Sequence, residues 1–268
     1  MDSRLVCENI ITQIDEFAHG AGFTDCVIGL SGGLDSSVVA ALCVPAFGAE
    51  HVHGVLLPGP YSTDHASTDA LELAANLGIQ TESISIMGTY EALAQELAPH
   101  TGGTFEGLAS ENTQARLRMV ALMALSNAHG WMLVNTGNLS EAWMGYSTLY
   151  GDTAGAFAPI GGLYKTEVYE LANWLNEQAR EQGGDDIIPQ HVISKPPSAE
   201  LAPDQTDEAG LGIAYPELDR ILMGYFEQGQ SPEALATDAT PVEEIERIIV
   251  RAEGYAYKRA QLPPAAMV

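Results

Sequence analysis

The sequence predicts an α/β protein built on a doubly wound parallel sheet with helices on both faces. Two observations support this prediction. Apolar runs of strand length alternate with segments of helical periodicity over the first half of the chain, and polar turns rich in Gly or Asn follow two of the runs. Because ligands bind at the carboxyl ends of the strands in such folds, near the switch in strand order, we expect the functional site at that edge.

The predicted elements follow from hydrophobic periodicity and from residues typical of helix ends. Strands are predicted at about 25–30, 52–57, 81–86 and 131–135. Helices are predicted at about 4–19, from the first Gly-rich turn to 44, and at 64–77, 88–98, 110–129, 165–180, 215–228 and 241–254. The segments 145–163 and 183–212 are predicted to be loops because they are rich in small residues or in Gly and Pro. We expect a single domain spanning residues 1–268.

The chain is strongly acidic, with 11 Lys and Arg residues against 36 Asp and Glu residues and a formal net charge of −25. Binding to nucleic acids and to anionic membranes depends on basic residues, so this balance predicts neither partner. No apolar run is long enough to span a bilayer, and the N-terminus lacks a signal pattern, so we expect a cytoplasmic protein. Cys7, Cys26 and Cys43 are expected to be reduced core residues.

An apolar strand ends in a Gly-rich turn that runs directly into a helix. The turn comprises Gly29, Leu30, Ser31, Gly32, Gly33, Leu34, Asp35 and Ser36. The glycines allow close approach of a ligand, and the helix N-terminus favours an anion such as phosphate. A carboxylate beside a phosphate requires a cation between them, so Asp35 is predicted to bind Mg²⁺. The alternative is a Gly turn followed by an ordinary Asp or Ser helix cap.

Four further segments carry polar residues suited to a nucleotide site: 111–119, 135–141, 145–166 and 195–212. The Ser-Gly-Gly-x-Asp-Ser turn resembles the pyrophosphate loop of the N-type ATP pyrophosphatases. The order and spacing of all five segments closely resemble the NAD synthetase family, and the resemblance covers essentially the whole chain.

The resemblance implies amidation of nicotinic acid adenine dinucleotide (deamido-NAD) to NAD through an acyl-adenylate, with ATP, Mg²⁺ and ammonia, in a homodimer. It also assigns roles to particular residues: contacts with ATP to residues 29–36, Thr136, Lys165 and Ser198; Mg²⁺ binding to Asp35 and Glu141; contacts with deamido-NAD to Asn112, Arg116, Asp152 and Lys258; and catalysis to Asp35, Asp152 and Lys165.

Each of these assignments has a structural alternative. Glu141 could be a helix-cap acid, Lys165 a solvated helix residue and Asp152 a plain loop residue. Two rival functions also stay open, namely another ATP pyrophosphatase and a non-catalytic adenine-nucleotide binding protein.

Helix 110–129 is also open to two interpretations. It is apolar on more than one side, so it is either an interface helix or a helix buried in the sheet layer. Asn112 and Arg116 lie four residues apart on one of its faces. An ion pair of Arg116 with Glu106 or Glu111 is the alternative to substrate binding.

The chain departs from many stand-alone bacterial members of the family. Leu149 replaces a Lys, Ala156 or Phe157 stands where an Asp is common, and Gly162 replaces another Asp. The run 148–159 instead resembles the synthetase half of glutamine-dependent NAD synthetases. The chain begins at the synthetase helix and has no Cys in a nucleophile context, so we expect direct use of free ammonia or of ammonia from a separate chain.

Overall fold

A parallel sheet of four strands lies at the centre of the computed structural model, which describes residues 1–268. The strands are β1 (Cys26–Gly29), β2 (Val52–Leu56), β3 (Gln80–Ser83) and β4 (Met132–Leu133), in the order β3-β2-β1-β4. β1 pairs in parallel with both β2 and β4, so the strand order switches direction at β1. The carboxyl ends of β1 and β4 therefore flank the crevice in which doubly wound sheets bind ligands.

Thirteen helices surround the sheet or follow it. They are α1 (Ser3–Ala21), α2 (Leu34–Phe47), α3 (Asp64–Leu77), α4 (Met87–Leu97), α5 (Gly107–His129), α6 (Leu139–Met144), α7 (Lys165–Glu181), α8 (Gln190–Ser194), α9 (Asp207–Leu211), α10 (Tyr215–Leu222), α11 (Pro232–Leu235), α12 (Val242–Gly254) and α13 (Ala256–Arg259). None of them combines the length and the hydrophobicity that crossing a bilayer requires.

Different helices cover the two faces of the sheet, because successive side chains of a strand point to opposite sides. Cys26 and Ile28 of β1 pack in the core that the sheet shares with α1, α2 and α7. Val27 packs on the other face with Leu122 of α5. β1 is thus buried on both faces, as the central strand of a doubly wound sheet should be. The predicted fold class is confirmed.

The C-terminal helices form a further apolar core beside the sheet. Residues of α10 and α12 pack there with Met144 at the end of α6 and with Tyr164 just before α7. Near the end of the chain, Ala265 forms a parallel bridge with Ala158. The C-terminal part of the chain therefore supports the segments that follow β4.

Most predicted helices and strands occur, with differences after β4. The sequence did not predict α6, which begins at a capping box formed by Asn138 and Glu141 and is too short to show helical periodicity. Two short helices, α8 and α9, lie in the segment 183–212 that was predicted as a loop, and α11 and α13 were not predicted. The helix predicted at 215–228 is α10 followed by a π-helical turn at Met223–Glu227.

Candidate active site

A cavity of about 1170 Å³ opens at the carboxyl edge of the sheet. It is bordered by the turns after β1, β2 and β4, by α5, and by residues from the segments 195–207 and 257–265. All residues that the sequence predicts to contact ATP, Mg²⁺ or deamido-NAD line this cavity, with the single exception of Gly32. The topology thus brings together residues from the whole length of the chain.

Gly32 shapes the Gly-rich loop (residues 29–36) instead of facing the cavity. Its φ of +74° lies in the left-handed region, and a Cβ there would lie 2.2 Å from the carbonyl oxygen of Ala66 in α3. Only glycine satisfies both requirements, the backbone conformation and the close contact with α3. Gly32 therefore has a packing role in the loop, and its contact with ATP stays a prediction.

The N-terminus of α2 carries no side-chain cap. The loop is held by its own serines, because Ser31 Oγ accepts a hydrogen bond from the Gly33 N–H (3.1 Å) and the hydroxyls of Ser36 and Ser37 donate to the Gly33 carbonyl (3.1 and 2.8 Å). The first N–H groups of α2 therefore stay available to an anion in the cavity. This geometry contradicts the alternative of an ordinary Asp or Ser helix cap.

Lys165 is the buried cation of the site. It is only 1% exposed, and its Nζ forms an ion pair with Asp35 Oδ2. The ammonium group also lies 5.4 Å from the centre of the Tyr215 ring. Burial alone would lower the pKa of Lys165, but the nearby carboxylates of Asp35 and Glu141 raise it, so the side chain stays charged. The alternative of a solvated helix residue is wrong.

Glu141 contributes a second carboxylate close to Asp35. Its side chain accepts from the Asn138 N–H (3.5 Å) in the capping box of α6, so it is a helix-cap acid as well as a residue of the cavity. Asn138 Nδ2 also lies 3.4 Å from Asp35 Oδ1. Burial, and then the charge of Asp35, raise the pKa of Glu141 well above its usual value. The effect of the Asp35 charge outweighs the opposing effect of Lys165, so a further cation between the two carboxylates would relieve their repulsion.

Asp152 lies in the loop that follows α6, and its side chain is exposed at the wall of the cavity. Oδ1 accepts a hydrogen bond from the Thr148 N–H (2.6 Å), and the backbone carbonyl accepts from Asn135 Nδ2 (2.7 Å). Desolvation raises the pKa of Asp152 to about 6, against the opposing effects of the Thr148 N–H and of the Lys258 charge. Asp152 can thus exchange a proton near neutral pH.

Two residues that are predicted to contact deamido-NAD hold this same loop in place. Asn112 Oδ1 accepts from the Thr148 hydroxyl (2.7 Å), and Arg116 Nε donates to the Leu149 carbonyl (3.1 Å). No ion pair joins Arg116 to Glu106 or Glu111, so that alternative does not occur.

Lys258 approaches the loop from the C-terminal side. Its Nζ donates to the carbonyl oxygens of Gly145 (2.8 Å) and Ser147 (2.5 Å). Burial lowers the pKa of Lys258, although the charge of Asp152 opposes this effect.

Residues 195–207 form a segment that covers one side of the cavity, and its contacts were not predicted. Lys195 Nζ donates to the Gly32 carbonyl (2.7 Å) and to Asp69 Oδ2 (2.6 Å). Farther along, Glu200 accepts from the N–H and the hydroxyl of Thr63 (3.0 and 3.1 Å), and the Ser198 hydroxyl donates to the Gln205 carbonyl (2.5 Å). The covering segment is therefore fastened to α3 and to the Gly-rich loop.

Asp207 is a further carboxylate at the cavity to which the sequence assigned no role. It is 5% exposed, its Oδ1 has no hydrogen-bond partner, and its Oδ2 lies 3.4 Å from the Tyr215 hydroxyl. Burial, and then the charge of Asp35, raise its pKa. Its place in the 195–212 motif was the only sequence signal for it.

The parallel α/β sheet, the uncapped helix N-terminus after β1 and the carboxylates that surround a buried lysine define the α/β PP-loop fold class. The family model described as NAD synthase matches residues 6–262. The chain therefore belongs to the NAD synthase family.

Individual relatives agree with this assignment. The chain is 43% identical over 271 residues to a glutamine-dependent NAD(+) synthetase from Synechocystis sp., covering 100% of this chain and 47% of that protein. It thus spans about half the length of the curated relatives that it matches.

Two solved structures match over nearly their whole length. The NMN synthetase from Francisella tularensis has a TM-score of 0.78 at 31% identity, covering 97% of this chain and 96% of that one. The NH3-dependent NAD synthetase from Campylobacter jejuni has a TM-score of 0.75 at 29% identity, with 96% of each chain covered.

Proposed function

We propose that this chain converts deamido-NAD to NAD, using ATP and ammonia and releasing AMP and pyrophosphate. The observation that carries the proposal is the arrangement of Asp35, Lys165 and Glu141 around an uncapped helix N-terminus in a member of the NAD synthase family. Cleavage of ATP builds negative charge on the departing pyrophosphate, and preorganised cations and N–H groups stabilise that charge.

The donor set of the cavity fits Mg²⁺. Asp35 and Glu141 offer carboxylate oxygens that repel each other without a cation, and no cluster of three His, Cys, Asp or Glu side chains forms a complete metal site. Mg²⁺ typically takes one or two carboxylates and completes its shell with phosphate oxygens and water. When bound, the ion would neutralise charge on the phosphates of ATP.

The proposed reaction has two steps. A carboxylate oxygen of deamido-NAD forms a bond to the α-phosphorus of ATP while the bond to the β-phosphate oxygen breaks, so pyrophosphate leaves. Ammonia then forms a bond to the acyl carbon, AMP leaves, and the nitrogen loses a proton. Lys165 and the N–H groups of α2 hold the phosphates. Asp152, with its pKa of about 6, is the proposed acceptor of the proton.

We propose free ammonia as the nitrogen source of this chain. Hydrolysis of glutamine by a cysteine nucleophile requires an accessible thiolate. Cys7, Cys26 and Cys43 are all free and buried, and burial raises the pKa of the Cys7 thiol to about 11. A glutaminase activity on a separate chain or domain could supply the ammonia.

A second candidate acceptor is nicotinic acid mononucleotide, whose amidation would give NMN. The observation that favours it is the similarity to the NMN synthetase from Francisella tularensis, which extends over 96% of that chain. The same adenylation chemistry serves both acceptors, so the geometry around Lys165 does not separate them. Pyrophosphate release measured with each acceptor in turn, over the same range of concentrations, distinguishes the two. A kcat/KM higher for the dinucleotide supports NAD formation, and the reverse supports NMN formation.

We also propose that the chain forms a homodimer through α5. Leu108 and Val120 on this helix are 73% and 66% exposed, so α5 is buried on one side and apolar on the other. The variant Val120→Glu should lower the molar mass measured by light scattering from dimer to monomer. Val250 on α12 is 67% exposed, and Val250→Glu is the matched control that should leave the mass unchanged.

A further inference from the structure

Asp219 is a buried carboxylate that lies outside the cavity. It belongs to α10, is 1% exposed and does not line the cavity. Its Oδ1 accepts a hydrogen bond from the Ser140 hydroxyl (2.6 Å), and its Oδ2 accepts from the Thr166 N–H (2.9 Å). Asp219 therefore bonds at once to the helix that carries Glu141 and to the helix that begins with Lys165.

Ser140 completes the connection between these two helices. Its Oγ donates its proton to Asp219 and accepts a hydrogen bond from the Lys165 N–H (2.8 Å). Ser140 is fully buried and directly precedes Glu141, while Thr166 directly follows Lys165. Three hydrogen bonds thus fix the backbone of both functional residues relative to one buried carboxylate.

A buried carboxylate is a costly way to hold two helices together. Removing the charge from water is unfavourable, and an apolar side chain of similar size would pack without that cost. The desolvation raises the pKa of Asp219, although the Ser140 and Thr166 hydrogen bonds oppose the rise. Apolar packing, however, does not define a direction, whereas hydrogen bonds to Ser140 and Thr166 fix the register of α6 against α7.

We propose that Asp219, acting through Ser140, is a positioning residue that sets the place of Lys165 relative to Glu141 and Asp35. The inference rests on the proposed function, because it concerns the groups that are to hold ATP and its metal. It predicts that loss of the Asp219–Ser140 bond lowers the turnover rate more than it weakens the binding of ATP, since displacement of a preorganised group costs mainly transition-state stabilisation.

The test compares Asp219→Asn and Ser140→Ala with a matched control in α7, the helix that begins with Lys165. Asn176 of α7 is fully buried and also makes two hydrogen bonds, to the N–H and the carbonyl of Ile188 (2.8 and 2.7 Å). Asn176→Ala therefore removes two buried hydrogen bonds of α7 without touching Lys165. Pyrophosphate formation at varied ATP concentration gives kcat and KM, and amide hydrogen exchange reports the protection of residues 165 and 166.

We expect kcat to fall about 10- to 100-fold in Asp219→Asn and Ser140→Ala, with KM for ATP within about threefold of the original chain. The double variant should lose little more than either single variant, because both break one connection. Asn176→Ala should melt at a lower temperature and keep its kcat. If Asp219→Asn does not fold, Ser140→Ala with the exchange measurement decides alone.

Other results would overturn the inference. It fails if both variants keep kcat within about twofold, if Asn176→Ala loses as much, or if exchange at residues 165 and 166 is unchanged. If the original chain itself releases no pyrophosphate with either acceptor, the proposed function fails instead, and the exchange measurement still shows whether Asp219 and Ser140 fix the start of α7.

Discussion

Lys165 and Asp35 form an ion pair although 130 residues separate them in the sequence. Asp35 lies in the first turn of α2 after β1, and Lys165 is the first residue of α7, so the pair joins two helix N-termini at the edge of the sheet. Before substrate enters, the ammonium group compensates the carboxylate in a place where neither charge is well solvated. In the proposed reaction, Lys165 contacts the phosphates of ATP and Asp35 binds the Mg²⁺ beside them.

Replacing Lys165 by Met should reduce pyrophosphate formation about 10²- to 10³-fold, the usual cost of losing one preorganised group that stabilises charge. The variant should also melt at a lower temperature, because Asp35 and Glu141 then face each other without a cation. Arg247→Met is the matched control. It removes one positive charge from an exposed i,i+3 pair with Glu244, and it should leave rate and stability nearly unchanged. A Lys165→Met protein that is folded and turns over normally would contradict the assigned role.

Glu141→Gln should weaken the binding of Mg²⁺ and stabilise the metal-free protein. The pKa of Glu141 is raised, so its ionised form is disfavoured in the fold, and a neutral side chain removes the repulsion by Asp35. The amide oxygen can still accept the Asn138 N–H in the capping box. Differential scanning calorimetry with EDTA should show a higher melting temperature, at about 2–4 °C for each kcal/mol gained. Titration of activity with Mg²⁺ should require at least about tenfold more metal.

Two results with Glu141→Gln would contradict these expectations. Unchanged or lower stability of Glu141→Gln without metal would show that the repulsion between the two carboxylates is negligible. Unchanged activation by Mg²⁺ would remove Glu141 from the metal site.

Gly32→Ala should abolish ATP binding or unfold the loop, whereas Gly78→Ala should be mild. Both glycines have positive φ, +74° and +69°, so both substitutions carry the cost of a left-handed alanine, about 1 kcal/mol. The added methyl at Gly32 meets the Ala66 carbonyl at 2.2 Å, while the one at Gly78 meets nothing within 4 Å. Chemical denaturation gives the free energy of unfolding of each variant, and titration gives its affinity for ATP. The difference between the two variants in these quantities is the effect of the steric clash alone. Equal effects in the two variants would show that α3 accommodates the added methyl group without a measurable cost.

The rate should depend on pH through Asp152. Its carboxyl group has a pKa of about 6 in the folded chain against about 3.9 in an unfolded one, so it is protonated below pH 6 and cannot accept a proton there. The ratio of kcat/KM between the original chain and Asp152→Asn should therefore rise with pH and level off above about 6. This ratio removes the common effect of pH on the fraction of ammonium present as ammonia. A ratio that is constant from pH 5 to 8 would exclude Asp152 as the proton acceptor.

The raised pKa of Asp152 also predicts how the stability of the folded chain depends on pH. A raised pKa means that the folded chain binds the proton more tightly than the unfolded chain, so the contribution of Asp152 is fully present below about pH 4 and is lost as pH rises through about 6. Asn resembles the protonated form of Asp152 and does not ionise, so Asp152→Asn should keep this contribution as the pH rises. The difference in melting temperature between the variant and the original chain should therefore grow in favour of the variant between pH 4 and 7.

Features with local signals could be predicted from the sequence. A strand, a Gly-rich turn and a helix follow each other in residues 26–47, and the predicted strands and long helices occur where periodicity placed them. The residues of motifs at strand ends meet in one cavity because parallel strands end at one edge of the sheet. Ser31 after β1 and Thr136 after β4 are examples of such residues.

Contacts between distant segments had no such signal. Lys195 bonds to Asp69 across 126 residues, and neither residue has a neighbour that marks the pair. Gly162 is a second position whose packing could not be predicted from the sequence. The resemblance to the family implies that Gly162 replaces an Asp, but only the fold shows that a Cβ there would lie 2.6 Å from the carbonyl oxygen of Ala266 near the end of the chain. Long-range packing, which periodicity does not encode, decides both cases.

The proposed activity is tested most directly by following NAD and pyrophosphate together in purified protein with Mg²⁺-ATP, deamido-NAD and either ammonium or glutamine. We expect NAD and pyrophosphate in equal amounts with ammonium, and neither with glutamine alone. Equal rates with glutamine alone would contradict the use of free ammonia. Absence of both products with ammonium, in protein that still binds ATP, would contradict the proposed reaction itself.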